Sequence, residues 1–152
     1  AREKQWEKAI KAYSVALHLD KDNASYCMAI GNCLMEMDVQ TEALVCYLNA
    51  VKLKPNNKTT WLALIKGLYM ANYFEEALTQ IEIARENCGD KAEFGYFRAA
   101  TLFELGKSKE ALLQLEQALK LAPTKVKTFT ALNPEYMRRS SVSELIARYK
   151  KK

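Results

Sequence analysis

Hydrophobic and polar positions recur along this chain every 34 residues. Four alanines mark the frame, and each is followed by a large apolar residue at the fourth position and a second alanine at the seventh. The copies are Ala9–Tyr13–Ala16, Ala43–Tyr47–Ala50, Ala77–Ile81–Ala84 and Ala111–Leu115–Ala118. Offsets of four and seven lie on one face of a helix. Leu34, Leu68 and Leu102 precede the last three frames by nine residues, and between them fall turn signals at Met37-Asp38, Ala71-Asn72 and Leu105-Gly106. Glu42, Glu76 and Glu110 stand just before the alanine, where a negative side chain complements a helix N-terminus. Pro55, Gly89 and Pro123 follow as breakers, with Lys21-Asp22-Asn23 at that place in the first copy. The pattern predicts helix–turn–helix units, each too small to bury its apolar face alone and therefore stacked on its neighbours.

These residues resemble the tetratricopeptide repeat. That family places a Trp, a Leu-Gly pair and a Tyr in its first helix, and Ala, Phe or Tyr, Ala and Pro in its second. One segment supplies Trp61, Leu64, Leu68, Phe74, Ala77 and Ala84. The segment before it supplies Cys27, Ile30-Gly31, Leu34, Ala43, Tyr47, Ala50 and Pro55, and the one after supplies Gly95, Arg98-Ala99, Leu102, Gly106, Ala111, Ala118 and Pro123. The resemblance implies an all-α fold, a right-handed superhelical stack of antiparallel helix pairs. Repeats are expected at 24–57, 58–91 and 92–125, after the second helix of a truncated repeat in 1–23. Residues 4–19, with Trp6, Ala9, Ile10, Tyr13, Ala16 and Leu17 on one side, read as that helix. The chain is then expected to be a piece of a longer solenoid, with self-association through its truncated N-terminal face as one consequence.

Residues 126–152 depart from the frame. Val126 to Leu132 begins like another first helix, with Phe129 at the Trp site, and Asn133-Pro134 cuts it short. Ser141-x-x-Glu144 has the form of a capping box. Val142, Leu145, Ile146 and Tyr149 then make one apolar stripe, the signature of a terminal helix packed on the last repeat. The closing segment is similar to those of some bacterial repeat proteins. The same region holds the basic excess: eight of 23 Lys and Arg and two of 18 acidic residues lie in 125–152, a net of +6 against −1 for the rest. Attraction to an anionic partner is the functional reading of that charge, and a solvated terminal helix is the structural one.

The remaining chemistry narrows the function. Cys27, Cys33, Cys46 and Cys88 lack metal-ligand spacing and read as small buried hydrophobes. Unpaired thiols fit a reducing compartment, so a cytoplasmic location is expected. No apolar run approaches the ~20 residues that span a bilayer. His18 has no partner set by sequence, and no phosphate loop, nucleophile motif or paired carboxylate appears. Catalysis, cofactors, metal, membrane insertion and nucleic acid are not expected.

A protein or peptide partner is expected instead, because in this family the first helices line a concave groove. Columns 34 residues apart on those helices are Met28, Leu62 and Tyr96; Asn32, Lys66 and Ala100; and Met35, Tyr69 and Phe103. The candidate groove is Met28, Asn32, Met35, Leu62, Lys66, Tyr69, Tyr96 and Phe103. The apolar columns would supply contact area, with Asn32 and Lys66 fixing a backbone or an acidic side chain. The carboxylate clamp by which some relatives bind chaperone tails is not matched, since its sites hold Met28, Asn32, Ala63, Glu93 and Phe97 and only Asn32 agrees. Two alternatives remain: a structural or regulatory segment of a larger protein with a self-occupied groove, and binding of an anionic partner by the basic tail.

Overall fold

The computed structural model describes residues 24–150. In chain order they form α1 (Ala24–Glu36), α2 (Gln40–Leu53), α3 (Lys58–Met70), α4 (Phe74–Cys88), α5 (Ala92–Glu104), α6 (Ser108–Leu121), a 3-10 turn (Pro123–Lys125), α7 (Lys127–Thr130), a second 3-10 segment (Pro134–Arg138) and α8 (Ser140–Lys150). The fold is all-α, built of helix pairs. First helices start at Ala24, Lys58 and Ala92 and second helices at Gln40, Phe74 and Ser108, so both kinds keep the 34-residue period. The chain divides into two compact units, Ala1–Asn72 and Tyr73–Lys152. Their boundary falls between the two helices of the segment 58–91. The helix expected over residues 4–19, with its exposed N-terminal face, lies outside the described residues.

The turns explain why Asp, Asn and Gly recur at one register. Asp38, Asn72 and Gly106 all adopt positive φ, at 62°, 67° and 79°. Each sits just past a first helix, where a left-handed residue ends the helix and returns its last carbonyls to amide donors. The Val39 amide donates to the Leu34 carbonyl at 2.8 Å and the Asp38 amide to Met35 at 3.1 Å. Lys107 to Leu102 at 2.9 Å and Gly106 to Phe103 at 3.1 Å repeat the pattern.

In the N-terminal unit the frame residues Ala43 and Ala50 are fully buried and Tyr47 nearly so. Glycine lets Tyr47 approach: a Cβ built on Gly31 of α1 would stand 2.7 Å from Tyr47 Cε1, and one on Gly67 of α3 would stand 3.5 Å from its Cδ2. Asn57 caps α3 by accepting from the Thr60 amide, and the Trp61 indole donates to the Pro55 carbonyl at 2.7 Å. The Trp position is thereby tied to the loop before its own helix.

In the C-terminal unit Ala77, Ile81, Ala84, Ala111 and Leu115 are fully buried. Helix α5 is enclosed by α4, α6 and α7, and eleven of its 13 residues are buried. Phe129 reaches zero exposure, and Val142, Leu145 and Ile146 of α8 are buried while Tyr149 is half-buried. One local expectation is corrected. Helix α8 begins at Ser140, and the Arg139 carbonyl accepts from the amides of Val142 and Ser143. Ser141 therefore lies inside the first turn, and the preceding 3-10 segment, which the capping pattern did not reveal, moves the start forward.

Candidate functional site: a polar-edged cleft in the N-terminal unit

Helices α1, α2 and α3 enclose a cleft of about 640 Å³. Helix α1 contributes Asn32, Met35 and Glu36, α2 contributes Gln40 and Tyr47, and α3 contributes Ala63, Lys66, Gly67 and Met70. Residues 32, 35 and 36 face it together because three- and four-residue offsets share a helix face, as do 63, 66, 67 and 70. Two small residues, Ala63 and Gly67, keep the α3 wall low, and Tyr47 is visible from the cleft for that reason.

The polar chemistry is arranged in layers. The Tyr47 hydroxyl donates to Asn32 Oδ1 at 2.7 Å. With its oxygen so engaged, the Asn32 carboxamide presents its NH2 as the group suited to a ligand acceptor. Burial pushes the Tyr47 phenol up to about 12, so it remains a neutral donor. Lys66, Glu36 and Asn32 are exposed at the rim, one cation, one anion and one amide. Met70 is 51% exposed and Met35 half-buried, giving the cleft a deformable apolar lining. Cys27 and Cys33 lie in α1 as buried thiols whose pKa burial raises, and like Cys46 and Cys88 they are in no disulfide. Among the described residues no group of three His, Cys, Asp or Glu could hold a metal, and no helix is long and apolar enough to cross a membrane.

Of the eight residues read as a groove, Asn32, Met35 and Lys66 meet in this cleft. Met28 packs instead on Ala24, Cys27 and Ala50, and Leu62 is half-buried. The three aromatic anchors are corrected. Tyr69 is only 6% exposed, and Tyr96 and Phe103 are buried within the C-terminal unit. The Tyr96 hydroxyl donates to the Ala122 carbonyl at 2.8 Å. Phe103 is covered by the chain's own closing segment, with Tyr136 at 5.5 Å and Phe129 at 6.0 Å between ring centroids and the Arg139 guanidinium 5.0 Å above its ring. The column reading took the outward face of a first helix as open, whereas on α5 Phe129, Tyr136 and Arg139 fold onto it. Glu36, Gln40 and Met70 were missed. Glu36 and Met70 form their own column 34 residues apart, one position beyond Met35 and Tyr69, and a slight rotation of the helix face would have included them. At the sites a carboxylate clamp would use in α5, Glu93 pairs with Lys125 at 3.4 Å and Phe97 is buried.

A family model for the tetratricopeptide repeat matches residues 24–57 and 92–125. No curated protein sequence matches the chain. Among solved structures, MamA is similar over 99% of this chain and 88% of its own, with 17% identity and a TM-score of 0.72. A MamA from Desulfovibrio magneticus RS-1, from residue 41 to its end, gives 17% identity and a TM-score of 0.66 over 99% and 86%. YrrB, described as a TPR protein with an unusual peptide-binding site, gives 20% identity and a TM-score of 0.66 over 99% and 79%. At these identities the likeness is one of fold. Both matched segments fold as helix pairs of the same register, so residues 24–57 and 92–125 are tetratricopeptide repeats.

Proposed function

We propose that the chain is a non-catalytic protein–protein interaction module whose N-terminal cleft holds a peptide or helix of a partner. The observation that carries this reading is the cleft itself, in which Asn32, Met35 and Lys66 converge with Glu36 and Met70 around about 640 Å³. A volume of that size takes a few side chains rather than a whole domain. The methionines supply adaptable apolar contact, Asn32 anchors a backbone or side-chain acceptor, and Lys66 and Glu36 set charge preference. That YrrB has a peptide-binding site on the same fold supports the reading. Cysteines outside any disulfide favour a reducing, cytoplasmic setting.

The test is photocrosslinking in cells from a benzophenone side chain placed at position 66, compared with one at position 120 on the exposed face of α6. Partners captured from position 66, absent from position 120 and lost on Asn32→Arg are the expected result. Equal capture from both positions contradicts it.

A second reading is favoured by a separate observation. In the C-terminal unit the face of α5 is already occupied by Phe129, Tyr136 and Arg139. That half of the molecule serves as a structural or regulatory segment with a self-filled groove. Its basic charge is partly engaged there, since Arg138 pairs with Glu135 at 3.2 Å and Arg139 donates to Ser108 at 3.3 Å.

A further inference from the structure

The closing segment shows what chemistry this repeat's inner face accepts. Tyr136 lies with its hydroxyl 2.6 Å from Glu104 Oε1 and 3.0 Å from the Ala100 carbonyl oxygen. Its ring lies against Phe103, and Arg139, three residues on, stacks over the same Phe103 while donating to Ser108 Oγ. The receiving positions are therefore Ala100, Phe103, Glu104 and Ser108. Stepping back by two periods of the repeat gives Asn32, Met35, Glu36 and Gln40, and all four line the N-terminal cleft. Helices α1 and α5 have the same length, as do α2 and α6, and each pair starts at the same register, so the correspondence is one of structure as well as sequence. In the C-terminal unit the closing segment breaks after Thr130 and its 3-10 turn fills this locus, whereas in the N-terminal unit its counterpart α3 runs on as a helix to Met70 and leaves the cleft of about 640 Å³ beside it.

From this internal template we infer that the N-terminal cleft recognises a partner segment carrying a tyrosine followed three residues later by an arginine, in a tight turn of the kind formed by Pro134–Arg138. This rests on the peptide-binding reading above and specifies its ligand. Glu36 takes the place of Glu104 as acceptor for the tyrosine hydroxyl. Asn32 replaces Ala100. Because Tyr47 holds the Asn32 oxygen, the amide NH2 donates to the incoming hydroxyl oxygen where the C-terminal unit offers a backbone carbonyl. Met35 replaces Phe103 beneath the ring and the guanidinium, and Gln40 replaces Ser108 as an acceptor for the guanidinium. The chain's own Tyr136 is 3% exposed and committed to Glu104, so the segment belongs to another protein.

The experiment is selection of a random peptide display library on the full chain, with Glu36→Lys as counter-selection. Glu36 is exposed, so the variant keeps its fold. Cleft-dependent peptides enriched in Tyr-x-x-Arg are expected. Cleft-dependent peptides without that pattern overturn this inference and leave the peptide-binding reading standing, whereas no cleft-dependent peptide overturns both. A synthetic peptide of residues 133–140 gives the quantitative arm by fluorescence anisotropy. Glu36→Gln should weaken its binding about tenfold, the scale of one charged hydrogen bond. Replacing the peptide's tyrosine by phenylalanine should cost as much with the wild-type chain and little more with Glu36→Gln, the coupling expected of direct partners. Equal sensitivity to Glu104→Gln would place the peptide on the C-terminal unit, and dimerisation of the chain through the cleft would make a second copy the occupant. Either result overturns the inference.

Discussion

A Cβ on Gly31 would stand 2.7 Å from Cε1 of Tyr47. The phenol ring is 4% exposed and held by its hydrogen bond to Asn32, so yielding toward the cleft it borders would cost that bond. Gly31→Ala gains about 1 kcal/mol of helix propensity and loses more to overpacking, about 1–3 kcal/mol. The net expectation is a lower denaturation midpoint. Gly67→Ala meets the Leu44 Cδ2 methyl at 3.0 Å, the end of a flexible side chain, and the Tyr47 ring at 3.5 Å, an ordinary contact, and should be close to neutral. Chemical denaturation of the two variants side by side measures the contrast.

Asp38 holds a left-handed conformation at the C-terminus of α1, where its charge also opposes the helix dipole. Asp38→Gly should stabilise the N-terminal unit by about 1 kcal/mol. Gly106→Ala, at the corresponding turn of the C-terminal unit, should destabilise by about 1 kcal/mol. Thermal melts of both variants check the sign. The same direction in both would show that these turns do not share a mechanism.

Much of this architecture was legible in the sequence, because it depends on local, periodic information. Ala43, Ala50, Ala77, Ala84 and Ala111 reach zero exposure, as the helical spacing required, and Phe129 fills the place its Trp-site register assigns. The groove was legible only where nothing distant intervened. Asn32, Met35 and Lys66 face a cleft in the N-terminal unit, whereas Tyr96 and Phe103 sit in a helix of the same amphipathic type that the closing segment covers. No pattern within α5 records that cover. The information lies in Tyr136 and Arg139, more than 30 positions away, and in the 3-10 segment that turns them inward.

Tyr136 shares that cover with Phe129 and Arg139 and ties it to α5 through its hydroxyl. Tyr136→Ala should destabilise the C-terminal unit by about 3–5 kcal/mol, the range for a buried aromatic truncated to alanine. It should also expose Phe103, read as increased binding of a hydrophobic dye. Tyr136→Phe keeps the ring stack and loses the hydroxyl bonds, at about 1 kcal/mol. A Tyr136→Ala melt matching the wild type would mean that the segment does not bear on α5.

The buried phenols give the fold an alkaline limit. Burial pushes both Tyr47 and Tyr96 up to about 12 from the ordinary phenol value of 10.0. The folded state thus holds these protons more tightly than the unfolded chain. The stabilisation is complete below pH 10 and is lost as pH rises from 10 to 12. Stability measured across that interval should fall, and Tyr96→Phe should make the fall shallower. A slope unchanged by the substitution would mean that Tyr96 ionises as freely in the fold as in the unfolded chain.

The claim that one repeat locus is filled in the C-terminal unit and receives a ligand in the N-terminal unit is tested most directly by methyl NMR of the five methionines. Met35 and Met70 line the cleft, Met28 packs on the Ala24–Cys27–Ala50 cluster, and Met137 lies in the closing segment. On titration with the peptide of residues 133–140, the Met35 and Met70 signals should shift to saturation while Met137 stays in place. Unmoved Met35 and Met70 signals, or a shift confined to Met137, would contradict it.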